Sequence, residues 1–252
     1  MNEIIEKMVS IGEFVILNNS YQYSYEKITK ILTTQISLSL SVGNNFLGFE
    51  LKKKPKILVI NVDEQIDNSF FETMIKQLNN KNISEHENIH VTNISPKSLI
   101  NASDIEDISK AIVESDYDII FWDNINKIQE FFGSHFKKID SFEDPLDHTI
   151  FIIRQISGMK TKFISHLYSH ILDKDGFQKI NDIGTSTITF YHKNIIDGYQ
   201  IEFENKYKNN KSILNLDLVD ELDLFFVKTI EVYEKDIKIK EENFDNPKNP
   251  LV

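Results

Sequence analysis

The stretch "GEFVILNNSYQYSYEKITKILTTQ", Gly12–Gln35, decides how this chain is read. Gly12 to Leu17 is a β-branched and aromatic run bounded by Gly and by Asn-Asn, the pattern of a buried strand. From Ile28 onward, Ile28, Leu32, Ile36 and Leu40 fall four apart, one stripe of a helix. Ser37, Ser39 and Ser41 interleave with them, small enough to let a helix lie close to a sheet. The alternation in "ISLSLSV" also fits a strand; the run before it and the "VGNN" break after it favour helix. Between strand and helix lies a polar turn carrying Tyr21, Tyr23 and Tyr25, and no glycine occurs between Gly12 and Gly43.

The same alternation continues outward. "PKILVINVD" (55–63) and "YDIIFWDN" (117–124) are nearly continuous apolar strands, typical of a parallel sheet covered on both faces. "SFFETMIKQLNN" predicts an amphipathic helix with Phe70, Met74 and Leu78 on one stripe, and "NIHVTNI" a short strand. "SDIEDISKAIVES" reads as a helix capped by Ser103-Asp104, with Glu106 and Asp107 in the first turn, where the dipole favours negative charge. "DPLDHTIFIIRQISG" predicts a helix with Pro145 in its first turn and Gly158 ending it, and "TKFISHLY" a further strand. After Gly184 the texture changes to "STITFYH", "YQIEFENKY" and "KSILNLDLV", antiparallel strands separated by Asp197-Gly198 and Asn209-Asn210 turns. The expectation is one α/β domain over 1–235, parallel over 1–183 and antiparallel over 184–230. Residues 236–252, charged and rich in Pro and Asn, are expected as a loose tail.

Composition bounds the function. The 252 residues, 40% hydrophobic, suffice for one sizeable core, and a mean hydropathy of -0.30 with 27% charged residues reads as soluble and globular. Runs such as "TIFII" are far shorter than a membrane span, and "MNEIIEKMVSIGEF" lacks the basic-then-apolar order of a secretory signal, so a cytoplasmic protein is expected. The absence of cysteine excludes disulfides, thiolate zinc sites and a cysteine nucleophile. The net charge of -11 argues against a stand-alone nucleic-acid binder, whose affinity comes from basic patches. Its densest basic run, Lys52–Lys56, reads as a solvated loop leading into a strand.

Taken in order, several short pieces resemble the RecA-like P-loop NTPase fold, specifically RepA-type hexameric replicative helicases and their AAA-family ATPase relatives. The match runs from Met8 to Lys228. "VSIGEFVIL" looks like the family's first strand, and "ISLSLSVGNNFLGFE" resembles the end of its first helix, closing on Gly-x-x-Phe-Leu-Gly. "KILVINVDE" resembles the next strand, and "YDIIFWDNINKI" the Walker B strand with its terminal aspartate. "KFISHLYSH" is similar to a strand ending in paired histidines, and "IGTSTI" to the Arg-Gly-Ser-Ser turn after it. The resemblance implies a mostly parallel sheet flanked by helices on both faces, with antiparallel strands at its C-terminal side.

The chemistry departs from that family. A phosphate loop needs glycines whose backbone N–H groups converge on the phosphates, then a lysine and a Ser or Thr. Here the stretch is "NNSYQYSYEKIT": one frame puts Tyr25 and Glu26 at the Lys-Thr positions, the other Thr29 and Lys30, with Lys27 just before. Neither is Gly-Lys-Thr, so the Walker A motif is degenerate. Asp123 has two readings of equal weight: a magnesium-holding Walker B aspartate, or a cap on the turn "DNINK". By the resemblance, Asp63 with Glu64 stands where relatives keep a catalytic glutamate. Shortened or displaced, these are poor general bases, so Asp123, Asp63 and Glu64 are vestigial catalytic candidates and Lys27, Thr29 and Lys30 the candidate phosphate contacts. His166 and His170 on a strand would stand about 13 Å apart, too far for one metal ion. No metal site is expected. His86 and His90 read as surface residues, "SFEDP" and "DPLDH" as an acidic helix cap, and Arg154 is the chain's single arginine.

The leading expectation is a non-catalytic RecA-like subunit, with no cofactor, that packs against itself or an active ATPase in plasmid, phage or mobile-element DNA replication or recombination. Nucleic acid would be met through the complex, and a membrane not at all. The alternative is a divergent ATPase or helicase using ATP and magnesium through Lys27 or Lys30 and Asp123. A third reading stacks single-stranded DNA on Tyr21, Tyr23 and Tyr25, against the opposition of the net charge.

Overall fold

The computed structural model describes residues 3–19, 26–42, 45–62, 88–123, 125–138, 144–167, 182–194, 198–219 and 224–244, with isolated helical positions at 72, 73, 76 and 179. The chain begins with β1 (Glu3–Ile5), β2 (Val9–Ser10) and β3 (Phe14–Asn19), then α1 (Glu26–Val42) and a small hairpin, β4 (Asn45–Phe46) and β5 (Phe49–Glu50). Next come β6 (Ile57–Val62), β7 (Ile89–Ile94), a 3-10 turn at Pro96–Leu99, α2 (Ala102–Val113) and β8 (Ile119–Asp123). Two helices, α3 (Asn126–Lys138) and α4 (Pro145–Ser157), lead to β9 (Thr161–Leu167). The chain closes with β10 (Ser186–Asn194), β11 (Gly198–Asn205), β12 (Asn210–Val219), β13 (Leu224–Glu234) and β14 (Ile237–Asn243).

Ten of these strands form one sheet in the order β14-β13-β12-β11-β10-β3-β9-β8-β6-β7. All pairings from β10 through β3, β9, β8 and β6 to β7 are parallel, and all from β10 to β14 antiparallel. This is the expected mostly parallel sheet with an antiparallel C-terminal side. Alternating side chains divide its core in two. Val15, Leu17, Val59, Phe121 and Phe163 pack with α1, while Phe14, Ile16, Ile60, Trp122 and Ile164 pack with α2, α3 and α4. Helices thus cover both faces: the chain crosses from β3 to β6 under α1 and returns from β7 to β9 under the other three. Right-handed crossovers require that change of face when the direction of travel reverses.

Helix α1 resolves the ambiguity of "ISLSLSV" in favour of helix. Every side chain from Ile31 to Ser41 is buried, including Thr33, Thr34, Gln35, Ser37, Ser39 and Ser41. Helices are buried all round when structure lies on every side. Here α1 touches both β6 and β13, seven places apart in the sheet order, about 34 Å if the sheet were flat. Burial of the hydroxyls is tolerable because each can bond within its own turn: Ser37 Oγ donates to Thr34 O and Ser41 Oγ to Leu38 O, both at 2.8 Å.

The β4–β5 hairpin plugs this core. Phe46 meets Phe163 and Phe203 edge-on at 6.3 and 5.6 Å. Its turn residues, Leu47 and Gly48, both have positive φ, as a tight two-residue hairpin demands. A Cβ on Gly48 would lie 2.8 Å from Val232 Cγ2, so only glycine passes so close to β13.

Local signals held where they were self-contained. Asp144 caps α4 by accepting from Leu146 N at 2.8 Å, Pro145 opens the helix and Gly158 ends it at φ 51. At α2 the cap lies two residues earlier than expected: Asn101, not Ser103-Asp104, accepts from Ser103 N at 3.2 Å. Residues 237–243, expected within a loose tail, form β14 against β13 through the two-residue turn Lys235-Asp236, both at positive φ. The helix expected over "SFFETMIKQLNN" lies almost wholly outside the described residues, as do Asp63, Glu64, His86 and His170.

Candidate functional site

In an open parallel sheet, ligands meet the carboxyl ends of strands where the crossovers change face. That point lies at β3, β9 and β8. Helix α1 starts there after β3, and α3 starts there after β8, on opposite faces. β3 ends at Asn19 and α1 begins at Glu26, so the connecting residues are Ser20–Tyr25, without a glycine. Lys27, Thr29 and Lys30 fall within the first turns of α1 rather than in the connection.

Asp123 closes β8, half-buried, and its Cα pairs laterally with Asn61 of β6, which pairs in turn with Asn93 of β7. The alternation that places Ile119 and Phe121, Ile57 and Val59, and Ile89 and Val91 on the α1 side puts Asp123, Asn61 and Asn93 on that side too. A carboxylate and two amides therefore stand in a row spanning about 10 Å, on the face from which α1 rises. On the opposite face Asn18 of β3 is 5% exposed, its Cα paired with His166 on one side and Thr189 on the other. Asn126, buried, opens α3.

This asparagine set escaped the sequence reading, although its signal was present. "FVILNN", "ILVIN", "HVTN" and "IIFWDN" each place Asn or Asp-Asn within a residue of a strand's carboxyl end. The row offers donors and acceptors with one formal charge, Asp123. It suits a polar ligand or a hydrated cation better than a naked polyphosphate. Among the described residues, no three or more His, Asp or Glu side chains lie close enough to hold a metal ion.

The chain superposes on a solved KaiC-like protein from the hyperthermophilic archaeon Pyrococcus horikoshii OT3. The TM-score is 0.50 at 10% identity, over 89% of this chain and 93% of that one. The fold is RecA-like. In all, 373 chains of solved structures match this chain, whereas no family model matches it and no curated protein does so. No helix among the described residues is long and apolar enough to cross a membrane.

The other sequence candidates sit elsewhere on the RecA-like frame. His90 is a surface residue of β7 whose Nδ1 lies 2.6 Å from Tyr117 Oη. Arg154, on α4, stands with its guanidinium 5.3 Å from the Phe14 ring centroid. Phe14 begins β3, so Arg154 is at the amino edge of the sheet, the opposite end from Asp123. Lys162, unremarked in the sequence, is 4% exposed at that same edge, its Nζ donating to Gly158 O at 2.6 Å. Burial above all, and the neighbouring Arg154 after it, push its pKa down to about 8.

Proposed function

We propose that this chain is a RecA-like module without nucleotide turnover. It serves as a structural or regulatory subunit that packs against itself or an active ATPase in the DNA replication or recombination of a plasmid, phage or mobile element. One observation carries the reading: the connection from β3 to α1 is Ser20–Tyr25, which holds three tyrosines and no glycine, and the helix then opens on Glu26. Without positions free of Cβ, backbone amides do not curl round a triphosphate, and a carboxylate at the helix start repels it. Cytoplasmic location and no bound cofactor follow from the same reading. Thermal unfolding with and without millimolar magnesium-ATP tests it. Ligand at 100 times its Kd adds about 2.7 kcal/mol, so an unchanged Tm is expected and a rise of several degrees overturns the proposal.

A divergent ATPase is the second reading, favoured by Asp123 sharing the face of α1. It has Lys27 or Lys30 holding phosphates and Asp123 holding magnesium. Hydrolysis that vanishes in Asp123→Ala supports it; equal background rates in both proteins dismiss it.

A further inference from the structure

Among the described residues, eight large hydrophobic side chains are exposed. Single exposed apolar residues are ordinary, but clustered ones mark contact surfaces. Four of the eight gather at the amino edge of the sheet: Ile11 (47% exposed), Val113 (51%), Phe151 (59%) and Met159 (79%). Their contiguity is visible in the backbone between them. Val113 packs so tightly on Gly158 that a Cβ there would lie 3.0 Å from Val113 Cγ2. The Met159 side chain lies over Gly12, next to Ile11. Phe151 is one helical turn before Arg154 on α4.

Two cations stand in the middle of this patch. Arg154 and Lys162 lie 5.3 and 5.2 Å from the centroid of the same Phe14 ring. Lys162 Nζ bonds only neutral carbonyls, Gly158 O at 2.6 Å and Gly12 O at 3.4 Å. Among the described residues neither cation has a carboxylate partner, and three acids of that edge are engaged elsewhere. Asp118 pairs with Lys53 at 2.6 Å and Asp116 with Lys56. The Glu13 carboxylate accepts from Ser10 N and Thr185 Oγ1. A buried ammonium without a counter-charge is costly, and a guanidinium presents a planar fork matched to a carboxylate.

We propose that this amino edge is a docking surface for an acidic and apolar segment of a partner protein, its side chains on Ile11, Val113, Phe151 and Met159 and a carboxylate against the exposed Arg154. Charge complementarity selects that occupant, since a basic or neutral segment would cover the Arg154 guanidinium without compensating it, and the buried Lys162 beside it adds to the positive charge there. The surface is remote from Asp123, so the proposal holds whether or not nucleotide binds at the carboxyl edge.

The test is fluorescence anisotropy of the full chain with a short labelled peptide of alternating leucine and glutamate, beside a counterpart carrying lysine for each glutamate. The glutamate peptide is expected to bind and the lysine peptide not to. Arg154→Ala and Phe151→Ser, both at exposed positions, are each expected to weaken binding about tenfold with Tm unchanged, and Arg154→Lys to recover part of the loss. Equal binding of both peptides, no binding, or binding indifferent to these variants overturns the proposal. So does self-association in sedimentation velocity that Phe151→Glu abolishes, which would assign the patch to a second copy.

Discussion

Gln35 and Phe225, 190 residues apart in sequence, close both backbone hydrogen bonds of one residue: Gln35 Nε2 donates to Phe225 O at 3.2 Å, and Phe225 N donates to Gln35 Oε1 at 2.6 Å. Both residues are 0% exposed. The side chain acts as a short piece of strand, joining the helix of the parallel half to β13 of the antiparallel half. Gln35→Leu keeps the volume and strands a buried donor and acceptor. The expected loss is about 2–4 kcal/mol, or roughly 5–12 °C in Tm at this chain length. A thermal scan within a degree of wild type would show that the two halves do not depend on this link.

Gly184 precedes β10 under the sheet's first parallel strand. A Cβ there would lie 2.6 Å from Ile16 Cγ1 and 3.2 Å from Ser186 O. Ile16 is fully buried, so it has little room to yield. Gly184→Ala should cost about 1–3 kcal/mol in urea unfolding. The double variant with Ile16→Ala should lose less than the sum of the two single losses, because the second change removes the atom that clashes. Strict additivity would refute the packing argument.

Trp122 is the chain's single tryptophan, and its Nε1 donates to Ser157 Oγ at 3.0 Å, both residues being 0% exposed. Ser157→Ala leaves the indole N–H buried without its acceptor, at a cost of about 1–3 kcal/mol. Tryptophan emission followed through denaturation reads both the loss and its location. Because Trp122 adjoins Asp123 in β8, the same emission should stay flat when magnesium-ATP is added.

Lys162 gives a pH dependence of definite sign. Burial, then Arg154, lower its pKa from 10.5 to about 8. Below that folded value the group is charged in both states and its burial weighs against folding. Between the two values the folded chain has shed a proton that the unfolded chain keeps, so this group's contribution to stability improves as pH rises. The stability of wild type minus that of Lys162→Met should therefore increase from pH 7.5 to pH 10. A flat or falling difference would mean that the ammonium is compensated in the folded chain.

Short-range information in the sequence was enough for most of the strand–helix alternation and for a parallel sheet covered on both faces, but not for the helix Asn126–Lys138. It also named Asp144, Pro145 and Gly158 as the ends of α4 and marked the missing glycines between Gly12 and Gly43. These follow from periodicity and backbone preference within a few residues, which any chain carries locally. Helix α1 shows the limit: its serines could be read as allowing close approach to a sheet, but nothing local shows that Gln35 would be buried against β13. The alignment of Asn93, Asn61 and Asp123, the pairing of 237–243 as β14, and the meeting of Arg154 with Lys162 over Phe14 likewise had no local signature. Each depends on lateral register and sheet coiling, set by contacts between segments far apart in the chain. Only the assembled core decides those positions, because burial there outweighs the polar character that each residue shows by itself.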